Sequence, residues 1–183
     1  MARALESVGI PYFLGGSLAS SAQGEPRATN DVGLVVDACP GQIAALAKAL
    51  GPDFEVDVDA LEEAVQRRGS WNIYYLPALL KVDLFQLAAG EYDKREFERR
   101  RLLEVFPGER LFVKSPEDSV LRKLLWYRQG GEVSTSQWRD VVEILRVSAA
   151  SLDRAYLDRW AAGLGIEALL ARATLEAKPR TPR

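Results

Sequence analysis

Three short stretches carry the residues whose types and spacing could do chemistry. Gly15-Gly16-Ser17 stands between an apolar run, Tyr12-Phe13-Leu14, and a stretch of helical composition, Leu18–Gln23. Paired glycines at a strand-to-helix junction leave no Cβ in the way of a phosphate, and the helix N-terminus adds backbone donors and a favourable dipole. The same arrangement also serves as an ordinary turn. Asp31 opens a second apolar run, Val32-Gly33-Leu34-Val35-Val36, and Asp83 interrupts a third, Lys81-Val82-Asp83-Leu84-Phe85. A carboxylate buried in such a strand costs several kcal/mol unless a cation or a donor compensates it, which makes Asp83 a candidate cation ligand. The alternative is a strand at a sheet edge, with Asp83 on its solvent face and Lys81 as its same-face neighbour two positions away.

The elements that must position these residues follow from hydrophobic spacing. Tyr12–Leu14 and Val32–Val36 read as strands, the second buried, and Gly24-Glu25-Pro26 ends the helix between them. Ala2–Val8 makes a short leading helix stopped by Gly9 and Pro11. Pro40–Leu50 carries Ile43, Leu46, Ala47 and Leu50 at helical spacing, and Val58–Arg67 turns Leu61, Ala64 and Val65 inward. Trp71–Leu76 and Leu80–Leu87, parted by Pro77-Ala78, predict an antiparallel hairpin. Glu91–Arg99 reads as a helix, and Leu102–Phe106 and Arg110–Val113 as short strands about Pro107-Gly108.

From Lys114 onward the pattern is helical throughout. Ser115-Pro116-Glu117-Asp118 has the cap serine, first-turn proline and acids of a helix start. Ser134 and Gln137 have the spacing of a capping box, followed by Trp138, Val141, Val142 and Leu145 along one face. Asp153–Leu164 and Ile166–Leu175 complete a small bundle. The domain expectation is therefore an α/β core over residues 1–113, a helical bundle over 114–176 and a frayed tail over 177–183.

Composition narrows the chemistry. The chain has no histidine, which excludes Ser-His-Asp and Cys-His catalysis and His-rich zinc sites, so any metal is a hard one bound through oxygen. Its one cysteine, Cys39, excludes an internal disulfide and fits a reducing cytoplasm. No apolar run approaches the ~20 residues of a membrane span, and the N-terminus lacks the layout of a signal peptide. Residues 1–93 hold 6 Lys and Arg against 13 Asp and Glu, whereas residues 94–183 hold 18 against 13. An acidic half for cations joined to a basic half for phosphates suits a nucleotide enzyme, and solvated helix faces account for the asymmetry equally well. The basic run Lys94–Arg101 likewise reads either as an RNA-facing patch or, because Glu96 and Glu98 interleave with it, as Glu–Arg pairing on an exposed helix.

Taken in order, Gly15-Gly16-Ser17, then Arg27-Ala28-Thr29-Asn30-Asp31-Val32-Gly33-Leu34, then Lys81-Val82-Asp83-Leu84-Phe85 resemble the nucleotidyltransferase superfamily with the polymerase-β-like fold. In that superfamily a GG or GS turn is followed by an Asp-x-Asp pair on one strand and a third carboxylate on a neighbouring strand. The Arg-Ala-Thr-Asn-Asp wording, with Lys123 and Arg139-Asp140 on later helices, is most similar to the AbiEii-type branch, which includes toxin-like nucleotidyltransferases. The resemblance covers residues 5–175 and departs from the pattern at Gly33, where the family has its second Asp.

The resemblance implies an α+β fold, a mixed sheet flanked by helices and followed by a C-terminal helical bundle. It implies metal-dependent transfer of a nucleoside monophosphate from an NTP to a hydroxyl of RNA or protein, with release of pyrophosphate. Asp31 and Asp83 would bind Mg²⁺ or Mn²⁺, and Gly15, Gly16 and Ser17 the phosphates, although Ser17 also suits a helix N-cap. Arg27 and Thr29 would shape the loop or touch phosphate, with a surface arginine as the alternative. Lys123 would contact the triphosphate or else snorkel from an apolar helix face. Asp140 would orient the acceptor or that lysine, or else lie on an exposed polar face. Implied partners are an NTP, a tRNA or protein acceptor and a cognate antitoxin, in a cytoplasmic setting. Gly33 removes a carboxylate that would have pointed the same way as Asp31. It therefore favours a second hypothesis, a catalytically inactive binding module such as a toxin–antitoxin component.

Overall fold

Along Asp31–Val36 and Leu80–Gln86, buried side chains alternate with more exposed ones from Leu34 and Val82 onward. Leu34, Val36, Val82, Leu84 and Gln86 lie inward, while Asp31, Gly33, Val35, Lys81, Asp83 and Phe85 alternate with them on the opposite face. Each strand therefore buries one face more deeply than the other, where the apolar run Val32–Val36 reads as a buried strand. In the computed structural model, which describes residues 1–26, 28–29 and 31–178, they lie at the middle of a seven-stranded mixed sheet.

The strands are β1 (Tyr12–Leu14), β2 (Asp31–Val36), β3 (Phe54–Glu55), β4 (Ser70–Tyr75), β5 (Leu80–Gln86), β6 (Arg101–Phe106) and β7 (Glu109–Val113), in the order β3-β4-β5-β2-β1-β7-β6. β2 runs parallel to β5, and β1 to β7; the other neighbours are antiparallel, including the expected β4–β5 hairpin. The two-residue strand β3 is too short to leave a period in the sequence. At the end of β5, the buried Gln86 carboxamide donates to Ala38 O (3.1 Å) and accepts from Ala38 N (3.2 Å), which fixes where β2 and β5 leave the sheet.

The helices are α1 (Ala2–Ser7), α2 (Gly16–Gln23), α3 (Ile43–Leu50), α4 (Val58–Gln66), α5 (Glu91–Glu98), α6 (Pro116–Gln129), α7 (Thr135–Val147), α8 (Arg154–Leu164) and α9 (Glu167–Ala177). Helical spacing decides their buried faces: Ile43, Leu46 and Leu50 on α3, and Leu61, Ala64 and Val65 on α4. Caps decide their starts. Asp57 accepts from Ala60 N (3.0 Å), Ser115 from Asp118 N (3.1 Å) and Asp153 from Tyr156 N (2.9 Å). Ser134 accepts from Gln137 N (3.4 Å), but the reciprocal half of the expected capping box is missing, because the Gln137 side chain accepts from Lys123 instead.

The chain forms two units, Met1–Leu18 with Ala28–Lys114, and Ala19–Arg27 with Ser115–Arg183. The first holds the sheet. The second is helical, with a core that includes Val120, Leu121, Leu124, Val141, Ile144, Leu145, Leu157 and Ala173. Of the expected tail, Ala177 is buried at the end of α9, and residues 179–183 lie outside the described ones. Among the described residues no helix is long and apolar enough to cross a membrane.

Candidate functional site

The parallel register of β2 and β5 places Asp31 opposite Lys81, and Gly33 opposite Asp83. Residues two apart on a strand point the same way, so all four share the sheet face turned away from Leu34 and Leu84. Lys81 Nζ lies 3.0 Å from Asp83 Oδ1 and 3.7 Å from Asp31 Oδ1. Two carboxylates remote in the sequence thus meet around one ammonium. Its pKa is held above the ordinary lysine value, chiefly by the hydrogen bond to Asp83. The charges of Asp83 and Asp31 add to this, and the loss of hydration opposes it.

This geometry corrects the premises of the two readings of Asp83, the sheet edge and the dry core, and leaves it a candidate cation ligand with Lys81 as its same-face neighbour. The strand is interior, with β4 on one side and β2 on the other, so Asp83 is not on an edge. Nor is it a carboxylate in a dry core: its side chain keeps 21% of its exposure and has a cation beside it. Sequence reasoning noted Lys81 only as a same-strand neighbour. What it missed is that Lys81 also reaches across to Asp31, a consequence of register that no spacing along the chain reveals.

The glycine turn closes on this face. Gly15 N–H donates to Gly33 O (2.8 Å), and Gly16 takes a φ of +61°, which a Cβ would strain. The backbones of Gly16 and Gly33 are so close that a Cβ built on Gly33 would stand 3.8 Å from Gly16 Cα and N. That is ordinary van der Waals contact, so a Cβ at position 33 is accommodated. Because α2 begins at Gly16, Ser17 is its second residue and not its N-cap. The Ser17 N–H therefore belongs to the first helical turn. Thr29 shapes the approach to β2: its hydroxyl donates to Asp31 O (3.3 Å) and accepts from Asp31 N (3.4 Å). Arg27 lies outside the described residues.

For a divalent cation, the donor set is two carboxylates whose oxygens converge where an ammonium already sits. One Mg²⁺ or Mn²⁺ fits such a pair, since Mg²⁺ fills its remaining positions with waters or phosphate oxygens. Two do not, because no group of three or more acidic, Cys or His side chains assembles among the described residues.

In the second unit the structure brings Lys123 together with Asp140. The Lys123 ammonium is 2.8 Å from Asp140 Oδ2 and 3.1 Å from Gln137 Oε1, with both charged side chains buried. Lys123 therefore does not snorkel, and Asp140 does not lie on an exposed face. Arg139, by contrast, is exposed and pairs with Glu25 (2.7 Å), which raises its pKa. The basic run 94–101 is broken up. Arg95 pairs with Glu98 (3.0 Å), Glu96 turns inward to a buried Lys114 (3.0 Å), and Arg100 stacks over Phe97 at 4.3 Å.

The fold is one that solved nucleotidyltransferases share. The antibiotic-resistance factor ANT(2'')-Ia, in its solution structure, aligns over 96% of this chain and 93% of its own with a TM-score of 0.55 and 14% identity. Its crystal structure in complex with adenylyl-2''-tobramycin gives 89%, 91%, 0.56 and 14% for the same quantities. An antigenic nucleotidyltransferase-like protein from Paracoccidioides brasiliensis aligns over 98% of this chain and 90% of its own, with a TM-score of 0.55 and 21% identity. No family model matches the sequence, and no curated protein does. At these identities the likeness is one of fold.

Proposed function

We propose that the protein is a nucleotidyltransferase, which moves a nucleoside monophosphate from an NTP to a hydroxyl of RNA or of a protein and releases pyrophosphate. One observation carries this reading: Asp31 and Asp83 meet on one sheet face against the Gly15–Gly16 turn. Phosphoryl chemistry of this kind asks a protein for position and charge, not for covalent help. Asp31 and Asp83 would hold one Mg²⁺ or Mn²⁺. When bound, that ion neutralises the triphosphate and makes the attacking hydroxyl more acidic.

The chain's own residues do the rest. Thr29 fixes the backbone from which Asp31 projects. The Gly15–Gly33 hydrogen bond holds the turn against β2, and Ser17, in the first turn of α2, would meet the phosphates there. Lys123, with Asp140 orienting it, is assigned to the triphosphate on the resemblance alone.

Gly33 supports a second reading, a nucleotidyltransferase-fold binding module without transfer, such as a toxin–antitoxin component. One experiment separates the two. The protein is incubated with Mg²⁺ or Mn²⁺, each radiolabelled NTP, and bulk tRNA or protein, beside Gly33→Asp and Asp83→Asn variants. Transfer by the unaltered protein, lost at least about a hundredfold in Asp83→Asn, is expected on the first reading. Transfer by Gly33→Asp alone identifies the second. Transfer by none, with no thermal shift on adding nucleotide, ends the enzyme reading.

A further inference from the structure

Asp31 and Asp83 do not stand bare. The Lys81 ammonium lies 3.0 Å from one and 3.7 Å from the other, on the point that both carboxylates face. β5 delivers it there, since Lys81 is in register with Asp31 and stands two residues before Asp83 on the same face. On the other side β4 contributes Tyr74 opposite Lys81 and Asn72 opposite Asp83, neither of them a carboxylate. Position 33, where a third acid would enter this face, is glycine. The cluster therefore holds two negative charges and one positive, whereas a third carboxylate would leave charge to spare for a metal alongside the ammonium.

An ammonium on a four-carbon stem is a compact cation that cannot diffuse away from its partners. A divalent ion needs the same oxygens, and the two cannot share that point without like-charge repulsion at close range. We propose that Lys81 is a tethered counter-ion that competes with divalent metal for Asp31 and Asp83, so that a metal ion enters this face only when the ammonium swings aside. Lys81 is thereby a positioning residue: it sets how readily the two acids accept a metal. This rests on the reading of the face as a cation site for nucleotidyl transfer, and it is tested without transfer.

The experiment is a Mn²⁺ titration, followed by loss of the free-ion electron paramagnetic resonance signal, with neither nucleotide nor acceptor present. Lys81→Met is expected to bind one Mn²⁺ about tenfold tighter than the unaltered protein, because two ammonium–carboxylate contacts no longer oppose binding. Lys81→Arg, which keeps the charge, is expected to stay as weak as the unaltered protein. Adding Asp31→Asn to Lys81→Met should remove the gain. An affinity in Lys81→Met no higher than that of the unaltered protein overturns the proposal, as does a gain that survives Asp31→Asn. Circular dichroism checks each variant, and Lys81→Gln provides the same comparison if the methionine variant does not fold. A protein inactive towards every NTP would sink the enzyme reading, yet the titration would still decide the role of Lys81.

Discussion

Lys81 and Lys123 both face carboxylates, one on the open face of a sheet and the other inside a helical unit. Lys123 and Asp140 keep 5% and 6% of their side-chain exposure, and Gln137 also accepts from the ammonium. Lys81 and Asp83 keep 35% and 21%, and Asp31 keeps 57%. Burial decides what each group is for. Two charges taken out of water are recovered only as a pair, so removing one partner strands the other in a poorly solvating interior. Charges that keep their water lose little when separated, and they can exchange partners. The helical unit has a buried pair, whereas the sheet face has a solvated one, which on the proposal above gives way to a metal.

The strongest way to break this contrast is through Asp140. Asp140→Ala is expected to destabilise the protein by about 3–5 kcal/mol, read as a lower urea midpoint of the helical signal, because it leaves the Lys123 charge buried without the Asp140 carboxylate. Lys123→Met with Asp140→Leu should recover most of that loss. If Asp140→Ala leaves the midpoint unchanged, the helical unit does not depend on the pair. Asp83→Asn sharpens the other side of the contrast. It should leave the urea midpoint where it is while it lowers label transfer at least about a hundredfold.

Smaller effects test the scaffold of the solvated group. Gly16→Ala places a Cβ on a residue at φ +61° and is expected to cost about 1–2 kcal/mol, seen as a lower midpoint. Gly33→Ala has only ordinary contacts at 3.8–3.9 Å and should cost less than Gly16→Ala in the same assay. Tyr12 and Glu6 form an intermediate case, with the phenol donating to Glu6 Oε1 (2.9 Å). Burial, first, and that bond hold the phenol's pKa above its ordinary value. The folded state thus keeps a proton that the unfolded chain releases near pH ~10. The stability this lends is complete below that pH and is lost as pH rises beyond it. Tyr12→Phe should therefore flatten the fall in thermal midpoint between about pH 10 and 12, the alkaline range where an ordinary phenol titrates. An unchanged slope would remove Tyr12 from the alkaline sensitivity.

Much of the fold was legible because local rules agreed with the global one. The apolar runs Val32–Val36 and Leu80–Leu87 gave strands, and Ser115-Pro116 gave the start of α6 within the predicted residues. Where reading failed, a longer-range contact had overridden a local rule. Gln137 had the spacing of a capping box, but its carboxamide is taken by Lys123 from another helix. Ser17 looked like a cap because the glycines before it looked like a turn, but the left-handed Gly16 already opens the helix. The candidate site divides in the same way. That Asp31 and Asp83 lie on strands follows from their apolar neighbours. That they share a face with Lys81 follows from a parallel register, and register is fixed by which strand lies next to which, information held jointly by residues fifty positions apart.

The room beside Gly33 has a consequence for how this chain can vary. A Cβ there meets nothing closer than 3.8 Å, so the backbone accommodates the first carbon of a side chain at this position. Glycine codons that end in a pyrimidine differ from aspartate codons by a single base. A lineage can thus gain or lose an acid at this position in one mutational step.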